Sequence, residues 1–296
     1  MGKRAGAAGG KRAGAQVAEV ADPGSADAGG AQAADAASPD AADAAGAQAV
    51  DAAGPDAVDA AGGAGVADGW DAGPFIHAKG MRFPRDDRII PPKRRRLLRE
   101  GRYEEKEHAA IMAALRPDDV VIELGAGIGY ISTAVARKGA RAVHTFEANS
   151  AMIPYIRAVH RLNGVADVAL THGVLGASAG RVPFYVRRDF TASSLDADPG
   201  GRKGPAVAVE EVEMLDIRAV FAEIAPTFLV CDIEGAEADL IPAADLSGLR
   251  CAVVELHPQW IGAAGVAAVF GAMAAAGLTY FPRGSQGKVV TFRRHW

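Results

Sequence analysis

The stretch Val121–Tyr130, VIELGAGIGY, decides the fold of this chain. It begins with apolar residues typical of a strand buried on both faces, and it ends where a helical pattern begins. Between the two lie three glycines, Gly125, Gly127 and Gly129, in a G-x-G-x-G spacing. A strand, a glycine loop and a helix in this order let the backbone pass very close to a ligand. The stretch therefore predicts a nucleotide-type site in an α/β domain.

Strand and helix patterns alternate around and after this loop. Parallel strands joined by helices form right-handed units with helices on both faces of the sheet. The pattern therefore predicts a Rossmann-like, mostly parallel sheet that a terminal antiparallel hairpin closes. The predicted strands are Asp119–Glu123, Ala142–Phe146, Val168–Thr171, Phe228–Cys231 and Ala252–Leu256, the helices Tyr130–Lys138 and Ser150–Asn163, and the hairpin strands Leu278–Phe281 and Val289–Phe292.

Two segments lie outside this alternation. Arg181–Asp216 carries two period-two stretches, Val182–Arg187 and Val207–Met214, around a Ser/Gly-rich loop, and insertions of this kind often cover substrates on α/β folds. Ile76–Arg102 contains the basic stretch Lys93–Arg96, which is either a solvated face or an electrostatic funnel for an anionic substrate. An amphipathic helix, residues 106–115, is predicted after it.

Composition divides the chain into three parts. Residues 1–74 contain no Leu, Ile, Phe or Tyr, so they are predicted to be a disordered tail that cannot bury enough apolar surface to fold. Residues 75–116 are predicted to be a lead-in segment and residues 117–296 the ligand-binding domain. The tail has 4 basic and 11 acidic residues, and the rest has 28 and 25, a net charge of +3. This mild excess does not indicate a nucleic-acid binder.

The chain shows neither a secretory pattern nor a run of about 18 apolar residues, so no membrane association is expected. Its two cysteines, Cys231 and Cys251, lie inside apolar runs and are expected to be free buried thiols. Both observations favour a cytoplasmic protein. The sequence leaves the oligomeric state open.

Two carboxylates accompany the glycine loop. Glu123 precedes the first glycine by two residues, where it repels a pyrophosphate but suits the cationic amino-acid end of S-adenosylmethionine. Glu147 ends the next strand and can accept both hydroxyls of a ribose, whether in NAD or in S-adenosylmethionine. It could instead cap the following helix together with Asn149. The residues therefore support a nucleoside site.

A second acidic group follows the strand Phe228–Cys231. The stretch LVCDIEGAE places Asp232, Glu234 and Glu237 within six residues, which indicates either a well-capped helix start or a site. Another acid and a histidine, Glu255 and His257, end the next strand. Because the carboxyl ends of parallel strands meet at one edge of a sheet, the two groups are expected to converge on one cleft.

The order VIELGAGIGY, FEAN, GVLG, the Ser193-Ser194 loop, CDIEGAE and VVELH resembles the FkbM-type S-adenosylmethionine-dependent methyltransferases over residues 98–257. GRYEEKE at residues 101–107 resembles the family's segment before the first strand. Three positions depart from the family pattern: Glu123 stands for a frequent Asp, Gly127 for a frequent Asn, and Ala148 for a common Pro. The resemblance implies a class I methyltransferase fold with a seven-stranded sheet, and methyl transfer to a hydroxyl of a small molecule or glycan.

The site residues are hypotheses that follow from the motifs and the resemblance. Asp232, Glu234 and His257 are the candidate catalytic residues, since a hydroxyl acceptor must lose its proton at the donor face. If a divalent metal is bound, Asp232 and Glu234 are its expected ligands. The expected S-adenosylmethionine contacts are Glu123, Gly125, Ala126, Gly127, Gly129, Glu147 and Ala148, covered by Tyr103 and Glu104. The expected acceptor contacts are Thr191, Ser193, Ser194, Glu237 and Glu255.

Three other functions stay open at this point. A nucleotide-binding oxidoreductase with a degenerate dinucleotide loop would use Glu147 in the same way. A non-catalytic binding module would keep the fold without turnover. RNA methylation is suggested only by the stretch Lys93–Arg96, and the chain lacks a recognisable RNA-binding module.

Overall fold

The computed structural model of this chain describes residues 69–197 and 204–296. Residues 1–68 of the predicted disordered tail lie outside the described residues. In the rest of the predicted tail, residues 69–74, Trp70–Ala72 form a 3-10 turn. The Trp70 ring packs edge-on against the buried ring of Tyr155, with 5.2 Å between the ring centroids. This contact attaches the end of the predicted tail to the folded domain.

The lead-in segment contains an antiparallel hairpin and two helices. The basic stretch Lys93–Arg96 lies in the first of these helices, and the second agrees with the predicted helix to within one residue. The elements are β1 (Phe75–Ala78), β2 (Met81–Pro84), α1 (Pro92–Arg99) and α2 (Glu105–Ala114).

The first half of the main sheet follows the predicted alternation. The predicted helix from Ser150 begins with a 3-10 turn, Ser150–Met152, before the α-helix itself. The α3 helix ends at Gly139, whose φ of 94° is the left-handed conformation of a glycine cap. The elements are β3 (Val120–Leu124), α3 (Tyr130–Lys138), β4 (Ala142–Glu147), α4 (Ile153–Leu162) and β5 (Ala169–His172).

The predicted excursion forms a small sheet of its own. Its middle strand pairs in parallel with one neighbour and antiparallel with the other. The elements are β6 (Val174–Gly176), β7 (Gly180–Arg187), β8 (Ala206–Asp216) and the helix α5 (Ile217–Ile224). The 3-10 turn Phe190–Ala192 lies in the loop after β7.

The chain then returns to the main sheet. The elements are β9 (Phe228–Cys231), α6 (Glu237–Leu240), β10 (Cys251–Glu255), α7 (Pro258–Ala275), β11 (Thr279–Tyr280) and β12 (Val289–Arg293). The seven strands of this sheet lie in the order β11-β12-β10-β9-β3-β4-β5, and β12 runs antiparallel to both of its neighbours. This is the predicted mostly parallel α/β sheet with a terminal antiparallel hairpin.

The strand order reverses next to β3, and this position determines where a ligand can bind. From β3 the chain proceeds outward through β4 to β5, and it then returns to place β9 on the other side of β3. Open α/β sheets bind ligands at such a switch point, in the crevice outside the carboxyl ends of the strands. The glycine loop and Asp232 both follow strands that end there.

Two apolar layers cover the sheet. One contains Ile111 of α2, Val135 of α3 and Ile156 of α4, and the other contains Phe221 of α5 and Met273 of α7. All five side chains are at most 4% exposed. The central strands β3, β9 and β10 are buried on both faces, which explains why they read as continuous apolar runs in the sequence.

One described helix, α7, is long and apolar enough by length and composition to cross a membrane. Its backbone is interrupted at Gly262, whose φ of 63° and ψ of −176° are not helical. The uninterrupted part, residues 263–275, spans about 20 Å at 1.5 Å per residue, against about 30 Å of bilayer hydrocarbon. Val269 and Met273 pack into the core beside the sheet. These contacts make α7 part of the helical layer of the domain.

Candidate functional site

The glycine loop after β3 is held against the end of β9. A Cβ atom at Gly125, where φ is 92°, would lie 2.0 Å from the carbonyl oxygen of Asp232. The backbone N–H groups of Gly125 and Ala126 donate to the carbonyl of Phe146, at 3.0 and 3.1 Å. The loop therefore follows a path on which only glycine fits at its first position.

The other two glycines serve different surfaces. A Cβ at Gly127 would lie 3.8 Å from the ring of Phe190 and 4.0 Å from the hydroxyl of Tyr103, and both of these side chains line the cleft described below. A Cβ at Gly129 would lie 3.0 Å from Cγ2 of Ile156 on α4. Gly129 thus permits close packing of α3 on α4, whereas Gly127 keeps the cleft open.

A cleft of about 750 Å³ opens at the carboxyl ends of β3, β4 and β9, at the switch point of the sheet. This volume lies within the range of about 300–1,000 Å³ found for ligand pockets. The predicted site residues that line it are Tyr103, Glu104, Gly125, Gly127, Glu147, Ala148, Thr191, Ser193, Ser194, Asp232 and Glu234. The predicted residues outside its lining are Glu123, Ala126, Gly129, Glu237, Glu255 and His257.

Glu147 connects the end of β4 to the glycine loop. Its carboxylate accepts the backbone N–H of Gly127 at 2.9 Å and that of Asn149 at 2.8 Å. Burial raises the pKa of Glu147 to about 7, against the lowering effect of these two hydrogen bonds. Each carboxylate oxygen can accept a further hydrogen bond, so the group can bind a ligand hydroxyl while it holds the loop. Asn149, not Glu147, caps the turn after β4 by accepting the N–H of Ala151 at 3.1 Å.

Glu123 and Glu104 border a second, smaller cavity of about 20 Å³ that lies beside the cleft. Glu123 is 2% exposed and accepts a hydrogen bond from the hydroxyl of Thr145. Glu104 directly precedes α2 and lies in the left-handed region, with φ of 45°, a conformation that is costly for a residue with a side chain. Burial is the largest cause that raises the pKa of each carboxyl to about 8. Strain and perturbed pKa values of this kind are frequent at functional sites.

His257 lies at the centre of four carboxylates, and we call the five residues the carboxylate–imidazole cluster. Its Nδ1 is 2.7 Å from Oε1 of Glu237. Its Nε2 lies 3.5 Å from Glu234, 3.8 Å from Asp232 and 3.9 Å from Glu255. Burial lowers the pKa of His257, but the hydrogen bond to Glu237 and the surrounding negative charges outweigh it, so the pKa is raised.

Asp232 connects this cluster to the cleft. Its side chain is 37% exposed, but Oδ1 is shielded from solvent and has no hydrogen-bond partner. Burial and the nearby charges of Glu255 and Glu234 raise the pKa of Asp232 well above its ordinary value. A carboxyl group with one buried, unpaired oxygen is costly, which indicates a ligand at this position.

Glu237 was expected to contact the acceptor, and the structure places it differently. α6 begins only at Glu237, and Glu234 precedes the helix in the left-handed region, with φ of 54°. Glu237 is fully buried, and its Oε1 accepts the N–H of Gly235 at 3.1 Å in addition to the contact with His257. Glu237 therefore positions His257 from below and does not face the cleft. Glu255 likewise lies behind the cleft, within the cluster.

The loop after β7 covers one side of the cleft, as predicted for the excursion. Thr191 is exposed, and its hydroxyl donates to the carboxylate of Asp189 at 2.9 Å. Ser193 and Ser194 are buried, and their hydroxyls serve the loop itself: each accepts a hydrogen bond from Arg187, at 2.9 and 3.1 Å. The two serines therefore shape the cover from within.

Two arginines that hold this cover were not recognised in the sequence. Arg187 is 3% exposed and donates from its guanidinium to the backbone carbonyls of five residues: Tyr185, Ala192, Asp196, Ala197 and Gly204. Arg94 binds Asp189 at 2.8 Å and stacks on Phe190, with its Cζ 4.3 Å from the ring centroid. The basic stretch was the sequence feature that could have pointed to Arg94. For Arg187 the sequence offered only its place in a strand of alternating residues.

The ion pairs of α1 disfavour the funnel interpretation of the basic stretch. Arg94 pairs with Asp189, Arg95 with Asp87 and Arg96 with Glu100, so acids neutralise all three cations. The stretch is a solvated face only in part, because the side chains of Arg94 and Arg95 are 12% and 14% exposed. The cleft itself is acidic, since its described lining includes six carboxylates (Glu104, Glu147, Asp196, Asp232, Glu234 and Asp239) and no Lys, Arg or His.

Comparisons with known proteins give matches in structure alone. No family model and no curated protein matches this chain, so the FkbM family stays an expectation. The ribosomal protein L11 methylase of Lactobacillus delbrueckii subsp. bulgaricus is 15% identical, with a TM-score of 0.39, and the match covers 66% of this chain and 80% of that one. TYW2 of M. jannaschii in complex with AdoMet is 13% identical, with a TM-score of 0.41, over 74% and 85%.

A third match is the magnesium protoporphyrin IX methyltransferase of Synechocystis PCC 6803 with bound SAM. It is 11% identical, with a TM-score of 0.39, over 68% of this chain and 83% of that one. Of these three structures, the first is named as a methylase and the third as a methyltransferase, and the second and third contain AdoMet or SAM. At such identities and TM-scores the function has to be argued from the site of this chain itself.

Proposed function

We propose that this chain is an S-adenosylmethionine-dependent methyltransferase that methylates a hydroxyl group of a small molecule or glycan. One observation carries the proposal: a single cleft at the switch point joins a glycine loop and Glu147 to the carboxylate–imidazole cluster. The glycine loop and Glu147 suit the binding of a nucleoside, and the cluster suits the removal of the proton from an acceptor hydroxyl. The activity is the one that the FkbM resemblance implies.

The residues of the cleft fit the cofactor. Gly127 leaves free the space that a Cβ would fill between the loop, Phe190 and Tyr103. Glu147 can accept ribose hydroxyls. The acids Glu104 and Asp232 line the cleft and suit a ligand that carries positive charge, as S-adenosylmethionine does at its sulfonium and its amino group. A dinucleotide would instead bring its pyrophosphate next to these carboxylates, which disfavours the oxidoreductase alternative.

S-adenosylmethionine supplies an electrophilic methyl group, and the chain has to hold the acceptor in line with it and remove the hydroxyl proton. The cover loop and the residues after β9 enclose the space next to Asp232 and Glu234. Asp232 and Glu234 line this space and are within reach of a hydroxyl there, whereas His257 lies behind them, with its Nε2 3.8 Å from Asp232. Either carboxylate can receive the proton if no metal is bound, and His257 then acts through them.

The acidic lining of the cleft also limits the chemical class of the acceptor. Its described lining offers six carboxyl groups and no basic side chain, so a phosphate or carboxylate group of an acceptor would find no compensating positive charge there. This favours an uncharged or cationic hydroxyl compound over a nucleic acid. We place the reaction in the cytoplasm, where buried free thiols such as Cys231 and Cys251 persist.

Replacing Gly127 by alanine tests the cofactor assignment. The new methyl group has ordinary contact distances to Phe190 and Tyr103, so the protein is expected to fold, with a loss of about 1–2 kcal/mol for the left-handed backbone. Because the methyl group stands in the cleft, we expect the Kd for S-adenosylmethionine to rise at least about tenfold, which is about 1.4 kcal/mol. Isothermal titration calorimetry of the full chain measures it.

Gly139→Ala is the matched control for this experiment. Gly139 has φ of 94° and no atoms within 4 Å of its Cβ position, so it carries a similar backbone cost far from the cleft. We expect this variant to keep the wild-type affinity. Tight binding of NAD or NADP by the wild type, without affinity for S-adenosylmethionine, would reject the proposed cofactor.

The pKa of Glu147 predicts that cofactor binding depends on pH. Because burial raises this pKa to about 7, the carboxylate that accepts ribose hydroxyls is mostly ionised at pH 8 and mostly protonated at pH 6. We therefore expect affinity to fall as the pH falls, by about tenfold between pH 8 and 6, since one unit below its pKa about one carboxyl in ten is ionised. Glu147→Gln should bind more weakly and lose this part of the pH dependence. Equal pH profiles for both proteins would contradict the assignment.

A further inference from the structure

The structure assigns a divalent metal site to Asp232, Glu255 and His257, with Glu237 as the residue that orients the histidine. The role of the ion rests on the proposed function, because the ion would act on the acceptor hydroxyl. The oxygen and nitrogen atoms of these three side chains lie within 4.8 Å of one another. The sequence pointed to Asp232 and Glu234 as ligands, whereas the structure groups Asp232 with residues that follow a different strand.

The distances in this group suit a common ion. His257 Nε2 is 3.8 Å from Asp232 Oδ1 and 3.9 Å from Glu255 Oε1. Ligand bonds to small divalent ions are about 2.0–2.2 Å, so two ligands of one ion lie at most about 4.4 Å apart. Two carboxylates and an imidazole form a mixed oxygen and nitrogen set that Mn²⁺, Fe²⁺ and Zn²⁺ accept.

Glu237 and His257 show a feature that is characteristic of metal-binding histidines. A ligating His usually donates its other ring N–H to a carboxylate, which fixes its tautomer and orientation. Here the Nδ1 of His257 is 2.7 Å from Glu237, and Glu237 has no contact with solvent. His257 is itself 98% buried, as its exposure is 2%. This arrangement directs Nε2 toward Asp232 and Glu255.

Two further observations point to a cation at this position. Asp232 Oδ1, the atom that faces His257, is shielded from solvent and has no hydrogen-bond partner. The cavity of about 20 Å³ beside it has room for one water molecule or one ion, and it borders Asp232 and Glu255 but not His257. Its described lining includes five carboxyl groups and no basic residue: Glu104, Glu107, Glu123, Asp232 and Glu255. Such a group of acids is stabilised either by protons, as the pKa values of about 8 for Glu104 and Glu123 indicate, or by a bound cation.

The site would activate the acceptor as a Lewis acid. A hydroxyl oxygen bound to a divalent ion becomes a much stronger acid, and the oxygen becomes a nucleophile near neutral pH. Its proton passes to Glu234, the carboxylate that lines the cleft, lies 3.5 Å from His257 and is not one of the three ligands. The new C–O bond then forms as the C–S bond of the sulfonium breaks, and the bonding pair stays on the neutral thioether.

Manganese titration of the full chain without cofactor tests the site. The protein is freed of metal with a chelator, and free Mn²⁺ is measured by electron paramagnetic resonance. We expect one saturable ion per chain. Asp232→Asn and Glu255→Gln, which keep side-chain shape, should each weaken binding at least about tenfold, and Glu237→Gln by about 10–100-fold, as the loss of a carboxylate that orients a ligating histidine does. Asp118→Asn, an exposed acid before β3, should bind as the wild type does.

Thermal unfolding of each variant establishes that it is folded. If Glu237→Gln is unstable, the test of the metal site rests on Asp232→Asn and Glu255→Gln alone. The inference is overturned if the folded wild type binds no Mn²⁺, or if both ligand variants bind it as the wild type does. Because the cofactor is left out, the result is independent of the proposed function. If the chain binds Mn²⁺ but has no affinity for S-adenosylmethionine, the metal site stands and the proposed methyltransferase function is refuted. If it binds S-adenosylmethionine but no Mn²⁺, the proposed function stands and the metal site is refuted.

Discussion

Replacing Gly125 by alanine is expected to prevent stable folding of the domain. The new Cβ would lie 2.0 Å from the carbonyl oxygen of Asp232, which belongs to the backbone and cannot rotate away. That backbone is held in place because the N–H of Asp232 donates to the carbonyl of Leu124 at 3.0 Å. The overlap can be relieved only by separating the ends of β3 and β9, at the centre of the sheet.

The expected loss is about 2–5 kcal/mol, because overpacking typically costs about 1–3 kcal/mol and occasionally more, and the left-handed backbone adds about 1–2 kcal/mol. Domains are stable by only about 5–15 kcal/mol, so the variant should be largely insoluble or unfold early in urea. Gly139→Ala carries the backbone cost without the overlap. If the two variants differed by less than about 1 kcal/mol in unfolding free energy, the close approach of β3 and β9 would be refuted.

The second large effect is expected for Asp119→Ala, at the opposite end of the sheet. Asp119 is 1% exposed and binds Arg250 with both oxygens, with 2.6 Å between Oδ1 and Nε. It also accepts the hydroxyl of Thr227 at 2.9 Å and the N–H of Arg116 at 2.7 Å. These contacts join the starts of β3, β9 and β10.

Removing one partner of such a buried pair leaves an uncompensated charge, Arg250, and costs about 3–5 kcal/mol. In a domain of this size each kcal/mol of lost stability lowers the melting temperature by about 2–4 °C, so we expect it to fall by about 10 °C. Asp118→Asn, next to it but exposed, should change the melting temperature little. Cofactor affinity of the surviving folded protein should stay unchanged, because the cleft lies at the other end of the strands. A melting temperature within 2 °C of the wild type, less than about 1 kcal/mol, would argue against this role.

Most of the fold could be predicted because its signals are local. The apolar runs of β3 and β9 reflect burial on both faces, and the glycines after β3 reflect a backbone conformation that other residues adopt at a cost. The strands and helices begin and end within a few residues of their predicted limits. The basic stretch on α1 remained ambiguous, since its ion pairs with Asp87 and Asp189 depend on how distant segments pack.

The candidate site could be predicted in part. The sequence indicated that Asp232 and His257 converge, because parallel strands bring their ends together. It did not show that Glu237 turns away from the cleft to hold His257, because that depends on the conformation of Glu234, which keeps the chain out of the helix until Glu237. The arginine that holds the cover, Arg187, acts through backbone carbonyls, which every residue has, so no pattern of side chains could reveal it.

The sequence alone thus determined the α/β class, the order of the strands along the chain, the glycine loop and the two acids beside it, since each depends on residues close together in the chain. Only the tertiary structure decided which carboxylates surround His257, which of them face the cleft, and that the described linings of the cleft and of the small cavity carry acids and no basic side chain. The cleft and the cavity combine side chains of α2 and β3 with side chains from the ends of β9 and β10, which lie more than 100 residues further along the chain. Their distances follow from packing and not from local conformation.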